Sequence, residues 1–255
     1  MAQITGWTGT LLWPFVRVTA FVMALPIFSG RGMPMRVRLV FSLALLVAVL
    51  PAVGAAPAID PITPEGVLVA AQQIAIGVSM GFMLRLVFAA ILNAGQITSL
   101  GMGLGFASMV DPSNGIQVPV ISVFYNILAT LLFFALDGHL VMVQVLAESF
   151  QVLPVSTHGF ALRGYYDIAL WASWMFSGAV LLALPAMTAI LIINLAFGVM
   201  TRAAPQLNIF AVGFPVTITA GFVVMLVTLG DLGDVFVQLT RSALDMLRQI
   251  ISQPG

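Results

Sequence analysis

The chain has 255 residues, of which 61% are hydrophobic and only 7% are charged, and its formal net charge is zero. Soluble domains carry roughly 25% charged residues, so this composition excludes an ordinary soluble domain and predicts an integral membrane protein. Because the chain has no basic excess, nucleic acid is not an expected partner. The absence of cysteine excludes disulfides, thiolate chemistry and cysteine-ligated metals.

Long apolar runs divide the sequence into candidate membrane spans. A spanning helix needs about 20 mostly apolar residues, because the hydrocarbon core is about 30 Å thick. A further apolar piece, 139–153, is short for a span and contains Glu148, which makes it a candidate re-entrant or buried helix. The sequence thus predicts six spans, at residues 7–28, 39–56, 66–92, 118–136, 168–199 and 206–230. The first of these is interpreted as a retained span, since it lacks the positive start of a signal peptide.

Arginine placement predicts the orientation of these spans, since short cytoplasmic loops retain positive charge. Between the first two runs lie Arg31, Arg36 and Arg38, whereas the next loop carries Asp60 and Glu65. We therefore expect the first loop to be inside and, with six spans, both termini to be outside.

The longest run, 168–199, contains Pro185. Proline has no backbone N–H, so it removes one helical hydrogen bond and its ring clashes with the preceding turn. We expect a helix that is kinked or divided at this residue.

The C-terminal segment, 231–255, has the pattern of an amphipathic helix. Arg241 and Asp245 are four residues apart and lie on the side opposite the apolar residues. We expect the apolar side to pack on the protein or lie at the membrane interface, with recognition of a specific partner as the alternative. The apolar residues at helical spacing are Leu232, Val235, Phe236, Leu239, Ala243, Leu247 and Ile250.

The residues that carry enzyme chemistry are few and scattered. Two histidines and nine carboxylates show neither the spacing of a metal site nor that of a catalytic triad. Glycines 101, 103 and 105 superficially match a dinucleotide loop, but they follow an apolar run and lack the strand–turn–helix frame. We expect no catalytic, cofactor or metal site.

Two arginines, Arg17 and Arg85, lie inside apolar runs, where a charge costs at least about 2.5 to 3.5 kcal/mol. Arg85 is close enough to the inner end of its helix to reach the interface. Arg17 is near the middle of its run, so it is expected to face protein or a water-filled cavity. Structural ion pairing is favoured over substrate binding for both, with Asp137 and Glu148 as possible partners and no pairing fixed.

The segment GMGLGFASMVDPSNG, at 101–115, cannot continue the preceding run as a regular helix, because glycines and a turn-rich end interrupt it. It nevertheless carries apolar side chains, including Phe106 and Met109. Non-helical backbone at membrane depth is tolerated only where protein or a water-filled cavity surrounds it. Methionine and phenylalanine could form a deformable pore seal, but the residues alone favour an ordinary connector packed against its own bundle.

Two long motifs resemble the FliR family, a membrane subunit of the flagellar export gate with relatives in virulence type III secretion. The first is GLGFASMVDPSNGIQVPVISVFYNILATLLFFALDGHLVMVQVLAESFQVLP, at 103–154, and the second is RAAPQLNIFAVGFPVTITAG, at 202–221. They stand in the family's order and at its spacing, and the resemblance covers essentially the whole chain. The spelling of the motifs favours the flagellar branch.

The resemblance implies an all-α integral membrane protein of about six hydrophobic, kinked helices, forming hairpins within a helical hetero-oligomeric export gate. Residues 1–255 would form a single export-gate domain with a FliP-like part at 1–167 and a FliQ-like hairpin at 168–230. The implied role is noncatalytic: the subunit would form the secretion pore with FliP- and FliQ-type subunits, next to FlhB- and FlhA-type export proteins. The implied substrates are unfolded secreted proteins, and the implied location is the bacterial inner membrane at the flagellar basal body.

The resemblance also assigns roles to residues. In the family, the loop corresponding to about 103–119 projects into the pore as a plug, and the inner tip of the last hairpin contacts other subunits. The plug residues would be Gly103, Gly105, Phe106, Met109, Val110, Asp111, Pro112, Asn114 and Gly115. The tip residues would be Arg202, Pro205, Gln206, Asn208 and Phe210.

The family's helices form a tilted, kinked cone lifted largely out of the bilayer plane, so six apolar runs need not be six spans. Kinks are then expected at Pro14, Pro26, Pro185 and Pro215. Arg17 and Arg85 would lie at subunit contacts rather than in lipid.

The alternative function is a secondary transporter or small-solute permease, which the composition permits. Such proteins usually show paired repeats and a polar site at the membrane midplane formed by broken helices. The sequence shows no convincing internal repeat and only isolated intramembrane charges, so the export-gate interpretation is preferred.

Overall fold

The computed structural model describes residues 2–28, 33–54, 59–104, 119–204 and 209–253, with only the backbone described at 2–10 and 209–211. Within these ranges the chain forms helices and no β-strand, which confirms the predicted all-α class. The helices are α1 (Ala2–Ala24), α2 (Met35–Val49), a short 3-10 helix (Leu50–Ala52), α3 (Pro64–Gly101), α4 (Val120–Ala135), α5 (Gly138–Val152), α6 (Leu162–Ala203), α7 (Ile209–Val227) and α8 (Leu229–Ile251).

Three helical segments of the described chain are long and apolar enough to cross a membrane: Met35–Ala52, α3 and α6. Two more spans result if each bent helix pair counts as one, since α4 and α5 meet at 66° and α7 and α8 at 58°. The described residues thus contain three to five candidate spans rather than the predicted six. Hydropathy counts apolar residues but does not detect a sharp bend between helices.

Of the kink or division expected at Pro185, the division is wrong, because α6 is one continuous helix of 42 residues with this proline inside it, whereas a kink there stays a prediction. Pro14 and Pro215 likewise lie inside α1 and α7. A proline removes a single helical hydrogen bond, and the bonds on either side maintain the helix. Pro26, by contrast, lies in the turn just after α1.

The chain comprises two compact units, each assembled from separate stretches of sequence. The first contains Met1–Val87, Phe133–Ala172 and Thr240–Gly255, and the second contains Phe88–Leu132 and Ser173–Leu239. The division at 167/168 into FliP-like and FliQ-like parts stays a prediction, as does the orientation in the membrane.

In the first unit, α1 and α3 approach each other closely at two glycines spaced four residues apart. A Cβ atom at Gly77 would collide with the carbonyl oxygen of Arg17, and one at Gly81 would lie 2.6 Å from the Cβ of Ala24. Small residues at this spacing let two helix backbones pack against each other in apolar surroundings. Gly77 lies against Arg17, and Gly81, four residues later, lies against Ala24, which is also later in the chain. The two helices therefore run parallel here.

The C-terminal helix α8 buries its apolar side in the protein itself. In the second unit, Phe236 packs edge-on against Phe88, with ring centroids 5.6 Å apart. In the first unit, the Nε1 of Trp171 donates a hydrogen bond to the hydroxyl of Ser242 at 3.2 Å. Val235 is half-buried, and Arg241 and Asp245 are exposed on the other side. The buried members of the apolar face are Leu232, Phe236, Leu239, Ala243, Leu247 and Ile250.

We expect Gly81→Leu to lower the free energy of unfolding by about 1 to 3 kcal/mol or more, because overpacking forces α1 away from α3. Thermal unfolding in detergent, followed by gel filtration, measures the loss. Gly198→Leu is the matched control, since a Cβ atom at Gly198 meets nothing within 4 Å. Equal unfolding midpoints for the two variants would contradict the packing described.

Candidate functional site

Helix α3 ends in a glycine-dependent cap just before the segment predicted to plug a pore. Gly103 has a φ of +81°, a left-handed conformation that glycine adopts without strain. The N–H of Gly103 donates to Leu100 O at 3.0 Å, and the N–H of Leu104 donates to Ser99 O at 3.1 Å. This pair of bonds is the Schellman motif, which satisfies carbonyl groups left free at a helix end. The predicted break in the helix is therefore present, with Gly103 as its pivot.

Residues in the cap pack on helix α7 within the second unit. Met102 is fully buried, and its side chain fills the space that a Cβ atom at Gly221 would need. The hydroxyl of Thr217 reaches the Met102 carbonyl oxygen at 3.5 Å. A Cβ atom at Gly103 would lie 2.6 Å from the ring of Phe214, so only glycine fits there. The start of the predicted plug segment is thus held on one face of α7.

The far end of the segment is held on α3. A Cβ atom at Gly95 would lie 2.6 Å from the Cα of Ser122, so the start of α4 packs directly on the α3 backbone. The hydroxyls of Thr98, Ser99 and Ser122 are buried and have no hydrogen-bond partner among the described residues. Both ends of the segment are therefore fixed in the same unit.

Most of the predicted plug and tip residues lie outside the described parts of the chain. Of the plug residues, Gly103 alone is described. Of the hairpin-tip residues, Arg202 is exposed in the last turn of α6, where a cation interacts favourably with the helix dipole. Phe210 lies in the first turn of α7, with only its backbone described. Outside the described ranges lie Gly105, Phe106, Met109, Val110, Asp111, Pro112, Asn114, Gly115, Pro205, Gln206 and Asn208.

Arg17 is fully buried in the first unit and binds two other helices, so the expectation that it lies at a subunit contact is wrong. Its Nε donates to Gln73 Oε1 of α3 at 2.7 Å. Its Nη1 donates to Ser149 O at 3.0 Å, and its Nη2 donates to Leu153 O at 2.9 Å, at the end of α5. The guanidinium carbon also lies 4.3 Å from the ring centroid of Phe150, within cation–π range.

The expected ion pair of Arg17 is wrong, since all of its hydrogen-bond acceptors are uncharged. Glu148 instead lies 3.4 Å from the exposed Arg248 and accepts a bond from Gln144. Ser149 O also accepts the backbone N–H of Leu153, and both carbonyl groups lie at the C-terminal end of α5, where the helix dipole is negative. They give the buried charge of Arg17 a favourable environment without a carboxylate.

Arg85 differs from Arg17, because it is exposed on α3. It lies at one end of an apolar groove of about 550 Å³ between α1 and α3. In the described part of the chain, no carboxylate is within ion-pair distance of it.

Metal chemistry has no support in the described residues, where no three or more histidine, aspartate or glutamate side chains form a group that could hold a metal ion. The features with defined geometry are instead the capped end of α3 at Gly103 and the buried guanidinium of Arg17. Both fix helices relative to each other rather than position a reacting group.

The family described as bacterial export proteins, family 1, matches residues 8–243. The chain belongs to this family. A flagellar biosynthetic protein FliR of Pectobacterium carotovorum subsp. carotovorum is 39% identical over 252 residues, covering 98% of this chain and 96% of that protein. The FliR of Escherichia coli K12 is 35% identical over 260 residues, covering 99% and 98%. That of Bacillus subtilis 168 is 27% identical over 245 residues, covering 94% of each. The resemblance drawn from two motifs is confirmed.

Sequence reasoning missed several residues that position the site in this export-family chain. The spacing of Gly77 and Gly81 was a usable signal, because small residues four apart in an apolar run favour close helix packing. Gln73 and Ser149 had no such signal, since each is an isolated polar residue whose contact with Arg17 is visible only in the fold. Met102 was likewise indistinguishable from any other apolar residue.

We expect Arg17→Lys to lower the free energy of unfolding by about 2 to 4 kcal/mol, since a lost hydrogen bond to a charged group costs roughly 1.5 to 3 kcal/mol. Lysine keeps the charge, but its single ammonium group cannot reach Gln73, Ser149 and Leu153 together. Denaturation in detergent measures the loss. Arg85→Lys, at an exposed position, should change stability by less than about 0.5 kcal/mol. Equal losses in both variants would contradict the structural role of Arg17.

Proposed function

We propose that the chain is a noncatalytic core subunit of the flagellar type III protein export gate, and that its 103–119 segment plugs the secretion pore. In this proposal it forms the pore with FliP- and FliQ-type subunits, next to FlhB- and FlhA-type proteins, in the bacterial inner membrane at the flagellar basal body. Unfolded secreted proteins are the cargo, and the energy for transport is supplied elsewhere.

The observation that carries the proposal is similarity along nearly the whole chain to proteins named for flagellar biosynthesis. Two of these relatives are 35% and 39% identical and are covered over at least 96% of their own length. Similarity confined to one domain would leave the rest of the chain without a relative. Here the aligned region covers 98% and 99% of the chain, so very few residues lie outside it. Membership of an export family supports protein export as the process.

The geometry around the predicted plug supports its role as a seal. A plug must be held at its ends while its middle can be displaced. The cap at Gly103 and the packing of Ser122 on Gly95 provide two fixed ends in one unit. Capping by a glycine in a left-handed conformation turns the chain out of α3 at a defined point.

The last hairpin, α6 and α7, supports assembly with partner subunits and membrane. Helix α6 is apolar enough to cross a membrane, yet only 22% of its apolar stretch is buried within the chain. Exposed apolar surface on this scale marks an interface with protein or membrane. The large apolar residues exposed on the hairpin include Trp174, Phe176, Leu191, Ile192, Leu195, Phe222, Val223, Leu226 and Val227.

We expect deletion of residues 105–114 to raise ion leakage across the membrane of cells that carry the complete export system, and to alter secretion. Gly103→Ala should raise leakage less, because it strains the left-handed anchor by about 1 to 2 kcal/mol and crowds Phe214. Membrane conductance and secreted flagellar protein are the measurements.

Gly101→Ala is the control for the leakage experiment, since a Cβ atom at Gly101 would touch only the flexible end of Ile190, at 3.4 Å. It should leave conductance and secretion at wild-type levels. If the deletion leaves both unchanged, the plug assignment fails, although the chain could still be an export-gate subunit.

We expect native mass spectrometry of the tagged chain, extracted gently from its own membranes, to show one large complex with two other small hydrophobic subunits. The exposed apolar face of α6 is the physical reason for such an assembly. A stable monomer or homodimer, from cells expressing the full set of export proteins, would contradict the proposal and favour a permease that acts alone.

A further inference from the structure

Three buried hydroxyl groups surround the contact between α3 and α4 in the second unit. Thr98 and Ser99 are fully buried on α3, and Ser122 is buried near the start of α4. Among the described residues, none of the three hydroxyls has a hydrogen-bond partner. Burial without a partner costs a hydroxyl the bonds it makes to bulk water, so nearly all such groups in native proteins bond to protein or to an ordered water.

These hydroxyls differ from others on the helices of this chain. A serine or threonine inside a helix often donates to a carbonyl oxygen in the preceding turn of that helix. Thr130 of α4 donates to Asn126 O at 2.7 Å, and Thr188 of α6 donates to Leu184 O at 2.7 Å. The three hydroxyls at the α3–α4 contact make no such bond. Their bonding capacity is therefore available to a group outside their own helices.

The packing of the two helices places the three hydroxyls near one point. Thr98 and Ser99 come three and four residues after Gly95, and residues at these spacings are neighbours on one helix face. Gly95 is where α4 meets α3, since a Cβ atom there would lie 2.6 Å from the Cα of Ser122. The two hydroxyls of α3 thus lie within about one helical turn of the residue that carries the third.

The hydroxyls are neighbours without being bonded to one another, which suits a bridging molecule. A water that makes bonds of about 2.8 Å can join two oxygens up to about 5.6 Å apart. An internal water typically makes about three hydrogen bonds to buried polar groups, and three hydroxyls are present here. These groups carry no charge, so a neutral ligand fits them, whereas a buried ion would need a countercharge.

We propose that the α3–α4 contact binds one ordered water, which bridges Ser122 of α4 to Thr98 and Ser99 of α3. Bound in this way, the water fastens the start of α4 to the last turns of α3 in addition to the close packing at Gly95. The proposal concerns a site between two helices and does not depend on the plug or on export.

The direct test is a cryo-electron microscopy map of the full chain, in whatever complex it is purified, at a resolution that shows ordered waters. We expect one water peak about 2.7 to 3.2 Å from the hydroxyl oxygens of Thr98, Ser99 and Ser122. A map that shows internal waters elsewhere but none at this contact would overturn the proposal. So would a map in which the hydroxyls of Thr98 and Ser99 bond to carbonyl groups of α3 itself.

Substitution provides a second measurement, the midpoint of thermal unfolding of the same purified complex. Thr98→Val removes the hydroxyl at nearly constant volume and should lower the midpoint, because the bridging water loses a bond. Ser122→Ala should lower it for the same reason. Since both changes act through one water, the double variant should lose less than the sum of the two single losses. Thr130→Val is the matched control and should stay near the wild-type midpoint, because the Thr130 hydroxyl bonds within α4.

Two results of the unfolding measurement would contradict the bridging water. A higher midpoint for Thr98→Val would show that its hydroxyl is buried without any partner, since removing such a group stabilises a protein. Losses that add fully in the double variant would show that Thr98 and Ser122 share no ligand.

Discussion

A single guanidinium connects three helices of the first unit. Arg17 of α1 bonds to the side chain of Gln73 on α3 and to carbonyl groups at the end of α5. These bonds depend on the glycine pair in α3, because only a small residue lets the α1 backbone come close enough. Burying a charge without partners costs a large free energy. Here the dipole of α5 and the uncharged acceptors stabilise the buried charge of Arg17.

The second unit meets a related requirement. Its backbone N–H and C=O groups also need hydrogen-bond partners in apolar surroundings. Helix α3 ends at Gly101, so its last carbonyl groups need partners other than a further helical turn. The cap at Gly103 supplies them, and Met102 fixes the cap on α7.

The outer surface completes this arrangement. The chain buries enough to hold each unit together but leaves wide apolar faces on α6 and α7. Such faces require membrane or other subunits, and they agree with an export-family protein that acts within an assembly. The groove at Arg85 differs from these apolar faces, because its apolar walls end at a charged side chain.

The sequence by itself determined the all-α membrane class, the end of the helix near Gly101 and the amphipathic character of the tail. These follow from composition, helical periodicity and glycine, which act over a few residues. Only the tertiary structure decided that Arg17 uses uncharged acceptors, up to 136 residues away, and that α6 passes through Pro185 undivided. Among the described residues, it also leaves three to five candidate spans for six apolar runs. Contacts between distant segments and bends between helices depend on packing, which no local pattern records.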